Sequence, residues 1–236
     1  MDLSYWNNLA MGVKIHPTKK QYFNRFLWRL VIHAEAGRLL ESKEQDLELA
    51  LEHRKTMVGQ RGFYWRQNNS NLDKVDLSLL QSIRDVKTTY GNDIRVRVEE
   101  PSVQFYAYNE HTLMDIANKL SSPLCIEEIN GPANSNEEQL LQSGAIIRKN
   151  DIGYRYKIIL KDGRYPMATK QQLLAYLNNV GDVVKLSKGS RKMLDSNYTH
   201  VWGVWFYSNS DDIITFLNLI APTAISNIHE LVIVDK

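Results

Sequence analysis

The fold can be worked out from two similar segments, Val103-Gln104-Phe105-Tyr106-Ala107-Tyr108-Asn109-Glu110 and Val204-Trp205-Phe206-Tyr207-Ser208-Asn209-Ser210-Asp211. Each segment is rich in β-branched and aromatic residues, which is typical of a strand. Each is followed by an apolar stretch with helical character, then by a proline, and then by a second strand-like run. Because the flanking elements match as well as the residues, we interpret the pair as two copies of one unit.

A second pair of segments supports an internal duplication. Arg29-Leu30-Val31-Ile32-His33 resembles Lys157-Ile158-Ile159-Leu160-Lys161, and each is followed by a Gly-Arg pair and then by a predicted helix. Two matching blocks in the same order predict that the halves are related by duplication. On this interpretation Leu30 corresponds to Ile158.

Each half reads as strand, helix, strand, strand, helix, strand. Period-two alternation marks the strands, and capping residues such as Ser42, Asn109 and Ser210 precede the helices. In the first half the elements are predicted at 25–34, 43–57, 94–100, 102–108, 110–120 and 124–129. In the second half they are predicted at 154–161, 169–180, 182–187, 200–208, 211–220 and 229–234.

This βαββαβ order is the split-βαβ pattern, and the chain resembles, in topology, two tandem ferredoxin-like domains of the kind that RNA-recognition-motif proteins use. The predicted fold class is α+β, with two ferredoxin-like sandwiches and a helical insertion in the first. Proteins of that kind stack unpaired bases on aromatic side chains of a four-stranded sheet. Neither third strand contains the basic–Gly–aromatic pattern of the ribonucleoprotein motif.

The repeat sets the domain boundaries. The first domain is predicted at 14–130 and the second at 146–236, joined by a linker at 131–145 that contains a short helix. The first domain has an insertion at 58–91, and the later part of this insertion, from about 73 to 88, has the apolar stripe of an amphipathic helix.

Alternation sorts the strand residues onto two faces of each sheet. The more apolar face is expected beneath the helices, and its residues include Phe105, Tyr154, Ile158, Leu160, Trp202, Val204 and Phe206. The other face interleaves basic and aromatic residues, which suits single-stranded nucleic acid because rings stack on bases and cations follow phosphates. Alternatively, this face is buried against another domain, with the basic residues at its rim. The predicted nucleic-acid-binding residues of the two faces are Arg29, His33, Arg95, Arg97, Tyr106, Arg155, Lys157, Lys161, Lys185, Trp205 and Tyr207.

The loop that contains Arg61, Phe63, Tyr64, Trp65 and Arg66 has the most unusual local composition of the chain. Three consecutive rings cannot all point inward from one short segment. We predict that these five residues form a stacking or insertion loop for nucleic acid. Alternatively, the rings cap the core of the first domain or dock on another protein chain.

Composition limits the functional classes. The 236 residues are 43% hydrophobic and 24% charged, as in an ordinary globular protein. No apolar run of about 18 residues could span a membrane, and the N-terminus lacks the pattern of a secretory signal. The single cysteine, Cys125, favours a reducing, cytoplasmic location. A net charge of +2 is too small to indicate nucleic-acid binding by itself.

Local signatures of enzyme chemistry are missing from the sequence. The six histidines form no His-x-His or His-Glu-x-x-His pair, and there is no P-loop. We therefore predict no catalytic residue, no metal and no cofactor, and a function in non-catalytic binding of single-stranded RNA or DNA. One alternative is a viral or cellular assembly protein that uses the same surfaces for protein contacts, including homo-oligomers. Another is a metal-independent RNA endonuclease.

Overall fold

The computed structural model describes residues 1–9, 12–60 and 72–234. The chain forms two compact units, which we call unit 1 (Met1–Gln139) and unit 2 (Leu140–Lys236). Both units are of the α+β class, because each combines α-helices with a five-stranded mixed sheet. Within the described residues, no helix has both the length and the apolar character needed to cross a membrane.

Unit 1 begins with a helix that precedes the predicted first domain and with a strand at the start of that domain. Its strands are β1 (Lys14–Pro17), β2 (Trp28–His33), β3 (Arg95–Glu99), β4 (Ser102–Ala107) and β5 (Ile126–Gly131). Its helices are α1 (Leu3–Leu9), α2 (Leu47–Gln60), α3 (Leu77–Tyr90) and α4 (Glu110–Lys119). The N-terminal helix is part of the core, because the side chain of Trp6 is fully buried and its Nε1 donates to Glu110 Oε1 at 2.9 Å.

Unit 2 begins within helix α5 (Ser135–Gln142), which spans the division between the units. Its strands are β6 (Ile146–Arg148), β7 (Tyr156–Leu160), β8 (Gly163–Arg164), β9 (Val184–Leu186), β10 (His200–Val201), β11 (Trp205–Ser208) and β12 (Ile225–Ile233). Its helices are α6 (Met167–Asn179), α7 (Lys188–Asp195) and α8 (Asp212–Ile220). The short strands β8 and β10 form a separate two-stranded ribbon.

The two five-stranded sheets have the same strand order and orientation. The order is β1-β5-β2-β4-β3 in unit 1 and β6-β12-β7-β11-β9 in unit 2. In each sheet the first strand is parallel to its neighbour, and the remaining neighbours are antiparallel. The added parallel strands, β1 and β6, were not predicted from the sequence.

The registers also correspond between the units. Leu30 lies opposite Phe105 in the β2–β4 pair, and Ile158 lies opposite Phe206 in the β7–β11 pair. All four side chains are fully buried. The predicted burial of Phe105, Phe206, Ile158, Val204 and Leu160 is therefore confirmed.

The N-cap residues of the helices agree in part with those that the sequence predicts. Asn109 caps α4 as predicted, because its Oδ1 accepts a hydrogen bond from Thr112 N at 2.9 Å. Ser42 was predicted to cap the helix expected at 43–57, but helix α2 begins only at Leu47. Asp46 takes that role instead, since its Oδ1 accepts from Glu48 N at 2.8 Å.

The third strand of the second half is shorter than predicted. We expected one strand over 200–208, but β10 pairs with β8, and β11 begins only at Trp205. Gly203 lies between them with φ of 63°, a left-handed conformation that interrupts the alternation of side chains. As a result Trp202, expected on the buried face, is 51% exposed.

Candidate nucleic-acid interface

On unit 2, two basic residues flank one aromatic residue across three neighbouring strands. Tyr207 of β11 lies opposite Lys157 of β7 on one side and opposite Lys185 of β9 on the other. Directly opposed residues have Cβ atoms about 4.5–5.5 Å apart. Together with Trp205, two residues earlier on the same strand, these residues define what we call the unit 2 face.

The rings of the unit 2 face form a contiguous cluster. The centroids of Trp205 and Tyr207 are 5.1 Å apart in an edge-to-face arrangement, and Lys157 Nζ lies 4.6 Å from the centroid of Trp205. The ring of Tyr154 stacks on Tyr207 with a centroid distance of 5.9 Å. Tyr154 was expected on the opposite face, but β7 begins at Tyr156, so the alternation does not extend to it. Both Trp205 and Tyr207 are half-buried, whereas Lys185 is exposed.

Ser190 holds the backbone of Trp205 in place. Strand β9 ends at Leu186, so no residue of β9 pairs with Trp205. Ser190, in the first turn of α7, takes the place of the missing strand residue. The Ser190 hydroxyl donates to Trp205 O at 2.7 Å and accepts from Trp205 N at 3.0 Å. Ser190 is only 2% exposed, and its hydroxyl is therefore a fixed partner for both backbone groups of Trp205.

Two further predicted cations of unit 2 are placed differently. Arg155 is exposed, and its Nε is 3.3 Å from Glu230 Oε1, a hydrogen bond that raises the pKa of the guanidinium. Lys161 is four residues beyond Lys157, about 13 Å along the chain. It lines a cavity of about 400 Å³ whose wall also includes Asp162. The structure therefore does not bring Lys161 to the ring cluster.

A basic segment beside the unit 2 face was missed by the sequence reasoning. Lys188, Arg191 and Lys192 are exposed on α7, and with Lys185 they give four cations and no carboxylate within residues 185–192. Counting charges along the chain could have found this segment. The imbalance extends to the whole unit: unit 2 contains 12 Lys and Arg residues and 8 Asp and Glu residues, a net charge of +4, whereas unit 1 contains 17 and 19, a net charge of −2.

Unit 1 has the same arrangement of side chains, but it is covered. Tyr106 of β4 lies opposite Arg29 of β2 and Arg95 of β3. The rings of Tyr22 and Phe23 pack on Tyr106, with centroid distances of 5.2 Å and 4.9 Å, and leave it only 3% exposed. Burial raises the pKa of Tyr106. In this conformation the ring of Tyr106 is covered and does not face solvent, so its stacking on a base stays a prediction.

The predicted cations of unit 1 lie mostly beside carboxylates. Arg29 Nη2 is 2.6 Å from Glu128 Oε1, and Arg29 Nε donates to Asn130 Oδ1 at 2.6 Å. Burial raises the pKa of Glu128, but the hydrogen bond from Asn130 and the charge of Arg29 lower it more, so the net pKa is below its ordinary value. The other close pairs are His33 with Glu35, His33 with Glu127, and Arg97 with Glu99.

The aromatic loop lies outside the described residues. Arg61, Phe63, Tyr64, Trp65 and Arg66 are all in the interval between residue 60 and residue 72. Their role as a stacking loop stays a prediction.

The described part of the chain offers neither a metal site nor a reactive thiol. Over residues 1–9, 12–60 and 72–234, no cluster of three His, Cys, Asp or Glu side chains has the geometry to hold a metal ion. Burial raises the pKa of the Cys125 thiol to about 11, which keeps it in the unreactive protonated form.

The chain has no match among the known proteins compared with it. No protein-family model matches the sequence, no curated protein matches it, and no solved structure matches it. A function must therefore be argued from the side chains themselves.

Proposed function

We propose that this protein binds single-stranded nucleic acid, without catalysing a reaction on it, through the unit 2 face. The observation that carries the proposal is the row of Lys157, Tyr207 and Lys185, with Trp205 beside it. A half-buried ring stacks on an unpaired base, while cations on both neighbouring strands contact the phosphates that flank that base. Either RNA or DNA satisfies this chemistry.

Charge supports unit 2 as the binding unit. Its net charge of +4 and the basic segment from Lys185 to Lys192 attract a polyanion. In unit 1 the corresponding tyrosine is covered, and Arg29 is paired with Glu128. We therefore do not assign nucleic-acid contact to unit 1 in this conformation, although the sequence alone predicted both faces.

We further propose that the two units arose by duplication of a ferredoxin-like domain. The support is the shared strand order, together with the matched registers of Leu30 with Phe105 and of Ile158 with Phe206. The split-βαβ pattern is built from β2 to β5 in unit 1, and from β7, β9, β11 and β12 in unit 2. On this proposal α3 corresponds to α6, since each leads through a short 3-10 turn into the edge strand of its sheet, and α2 and α7 are additions that distinguish the copies.

Fluorescence anisotropy with labelled oligonucleotides tests the proposed function. Single-stranded RNA and DNA are each titrated at low salt and then across a salt series, with a duplex of the same sequence as the control. We expect the single strands to bind more tightly than the duplex, and the affinity to fall steeply with added salt. Absence of binding at low salt would overturn the proposal.

Contact with another protein is the second candidate function, and helix α8 favours it. Phe216 and Leu219, three residues apart on one side of α8, are 39% and 74% exposed. Phe216 also stacks on Tyr176 of α6, with ring centroids 3.8 Å apart. Adjacent exposed apolar side chains mark contact surfaces. Sedimentation velocity at rising concentration tests this candidate: wild-type protein should self-associate and Leu219→Glu should not.

A further inference from the structure

Residues Tyr22 to Phe26 fold back over the sheet of unit 1 as a tight turn. Tyr22 N donates to Phe26 O at 2.8 Å, and Arg25 N donates to Tyr22 O at 3.1 Å. The two central residues, Phe23 and Asn24, have φ of 55° and 54°. Asparagine tolerates this left-handed conformation, but a bulky residue such as phenylalanine rarely adopts it. We therefore expect the contacts of the Phe23 ring to stabilise this backbone conformation.

Those contacts are one tyrosine and one cation. The Phe23 ring meets Tyr106 edge to face at 88°, and Arg95 Cζ lies 3.8 Å from the Phe23 centroid. Phe23 thus occupies a slot between Tyr106 of β4 and Arg95 of the edge strand β3.

Unit 2 has the corresponding pair, Tyr207 and Lys185, and among the described residues the rings recorded in contact with Tyr207 are those of Tyr154 and Trp205, neither of them on the edge strand β9. Tyr207 lies opposite Lys185, as Tyr106 lies opposite Arg95, and in both sheets the cation is on the edge strand next to the tyrosine. Tyr207 is half-buried where Tyr106 is almost completely covered, and Lys185 is exposed. The protein itself therefore shows what fits between such a cation and such a tyrosine: one planar ring.

We propose that unit 1 contains a second, latent nucleobase site that the chain closes with Phe23, and that on unit 2 a nucleobase takes the corresponding place between Lys185 and Tyr207. This inference rests on the proposed function and makes it more specific. It assigns the base to a slot on the edge side of Tyr207, against the side-chain stem of Lys185, while the Lys185 ammonium reaches the phosphate that flanks the base. It also predicts that unit 1 binds a nucleobase when the Phe23 ring is absent from its slot.

The first test is the binding stoichiometry of Phe23→Gly. Glycine removes the ring and adopts the left-handed turn without strain. Isothermal titration at low salt with an oligouridylate of about five nucleotides, a length within the site size of one small domain, should give one site per chain in the wild type and two in Phe23→Gly. Phe23→Tyr keeps a ring in the slot and should keep one site. Tyr106→Ala added to Phe23→Gly should return the stoichiometry to one.

Crosslinking provides a second readout, which identifies the residues that the bound base contacts. An oligonucleotide with 5-iodouridine, irradiated in complex with the protein and mapped by mass spectrometry, should label Tyr207 in the wild type. It should label both Tyr207 and Tyr106 in Phe23→Gly. Labelling of Tyr207 should be lost in Lys185→Ala if the base sits in the slot, and kept in Lys161→Ala.

The outcomes separate this inference from the proposed function. If wild-type protein binds and crosslinks on unit 2, but folded Phe23→Gly gains neither a site nor a Tyr106 crosslink, the latent site is wrong and the proposed function stands. If wild-type protein crosslinks away from Tyr207, the slot assignment is wrong. If wild-type protein does not bind any oligonucleotide, both proposals fail together.

Discussion

Lys157 lies over the indole ring of Trp205, with its Nζ 4.6 Å from the ring centroid. This contact joins the two kinds of group that a single strand requires, a flat ring and a cation, on neighbouring strands of one sheet. Because stacking and phosphate contact respond differently to salt, substitutions of the two kinds of residue are expected to have distinguishable effects.

Trp205→Ala is expected to weaken binding of single-stranded nucleic acid by about 1–3 kcal/mol, the range for loss of one base-stacking ring. The slope of log K against log salt should stay nearly unchanged, because no phosphate contact is removed. Anisotropy titrations across a salt series measure both quantities. Trp202→Ala is the matched control, since Trp202 is an exposed tryptophan outside the unit 2 face, and it should bind as the wild type does. Equal losses in the two variants would contradict the role of Trp205.

Lys185→Ala is expected to reduce the salt dependence of binding. Removal of one contact to a single-strand phosphate lowers the magnitude of the slope by about 0.7. The loss of affinity should be similar for all sequences, because a lysine that contacts a phosphate does not distinguish bases. Lys74→Ala, at an exposed position of unit 1, is the control. An unchanged slope in Lys185→Ala would show that this residue does not meet a phosphate.

Ser190→Ala is expected to lower the free energy of unfolding by about 1–3 kcal/mol, because the part-buried N–H and C=O of Trp205 both lose their partner. Urea unfolding followed by fluorescence measures this. Binding should also weaken, since Trp205 is no longer fixed. Ser143→Ala, which changes an exposed serine, should alter neither quantity. Full retention of stability in Ser190→Ala would mean that water replaces the hydroxyl.

Lys170 is a buried lysine that holds the chain after α7. It is fully buried, and its Nζ donates to Ser196 O at 2.6 Å and to Tyr198 O at 2.7 Å. Lys170→Met should lower the free energy of unfolding by about 1–3 kcal/mol, because these carbonyls lose a charged donor. Lys188→Met at an exposed position should change it by less than about 0.5 kcal/mol. Equal unfolding midpoints for the two variants would contradict this assignment.

Glu100 makes the stability of unit 1 depend on pH. Burial raises its pKa, but the paired hydrogen bonds from Arg54 at 2.7 and 2.8 Å and the bond from Arg38 N outweigh burial, so the net pKa is lowered from 4.5. A lowered folded pKa stabilises the protein above pH 4.5, and this stabilisation is lost as the pH falls through the folded value.

The free energy of unfolding is measured for Glu100→Gln and for the wild type, and the two values are compared at each pH. At pH 7 the variant should unfold about 1–3 kcal/mol more easily, since it loses charge-assisted hydrogen bonds. The difference should shrink as the pH is lowered below 4.5. A difference that is constant from pH 7 to acid would show that Glu100 acts through packing alone.

The buried side of each sheet could be predicted from the sequence because alternation is a local property. Ile158 and Phe206 are covered as their positions in period-two strands require. The predicted positions of Trp202 and Tyr154 were wrong for a local reason too. Gly203 interrupts the strand that was predicted to contain Trp202, and β7 starts two residues after Tyr154. A glycine within a strand-like run is the sequence signal of such an interruption.

The cover on Tyr106 could not be predicted in the same way. Tyr22 and Phe23 are more than 80 residues away in sequence, and they reach Tyr106 only because a tight turn precedes β2. Alternation identifies the side of a sheet that lacks helices, but it does not show which loop crosses that side. The same limit applies to Ser190, whose pairing with Trp205 depends on where β9 ends.

The edge strands have a consequence for the protein at high concentration. An exposed strand edge offers unpaired N–H and C=O groups to other chains, which is a route to aggregation, and short length and charge counteract it. Strand β9 has three residues with Lys185 at its centre, and β3 presents Arg95 and Arg97 to solvent. These cations therefore keep separate chains from pairing edge to edge. Their replacement by apolar residues would make the protein precipitate more readily, whether or not a ligand is present.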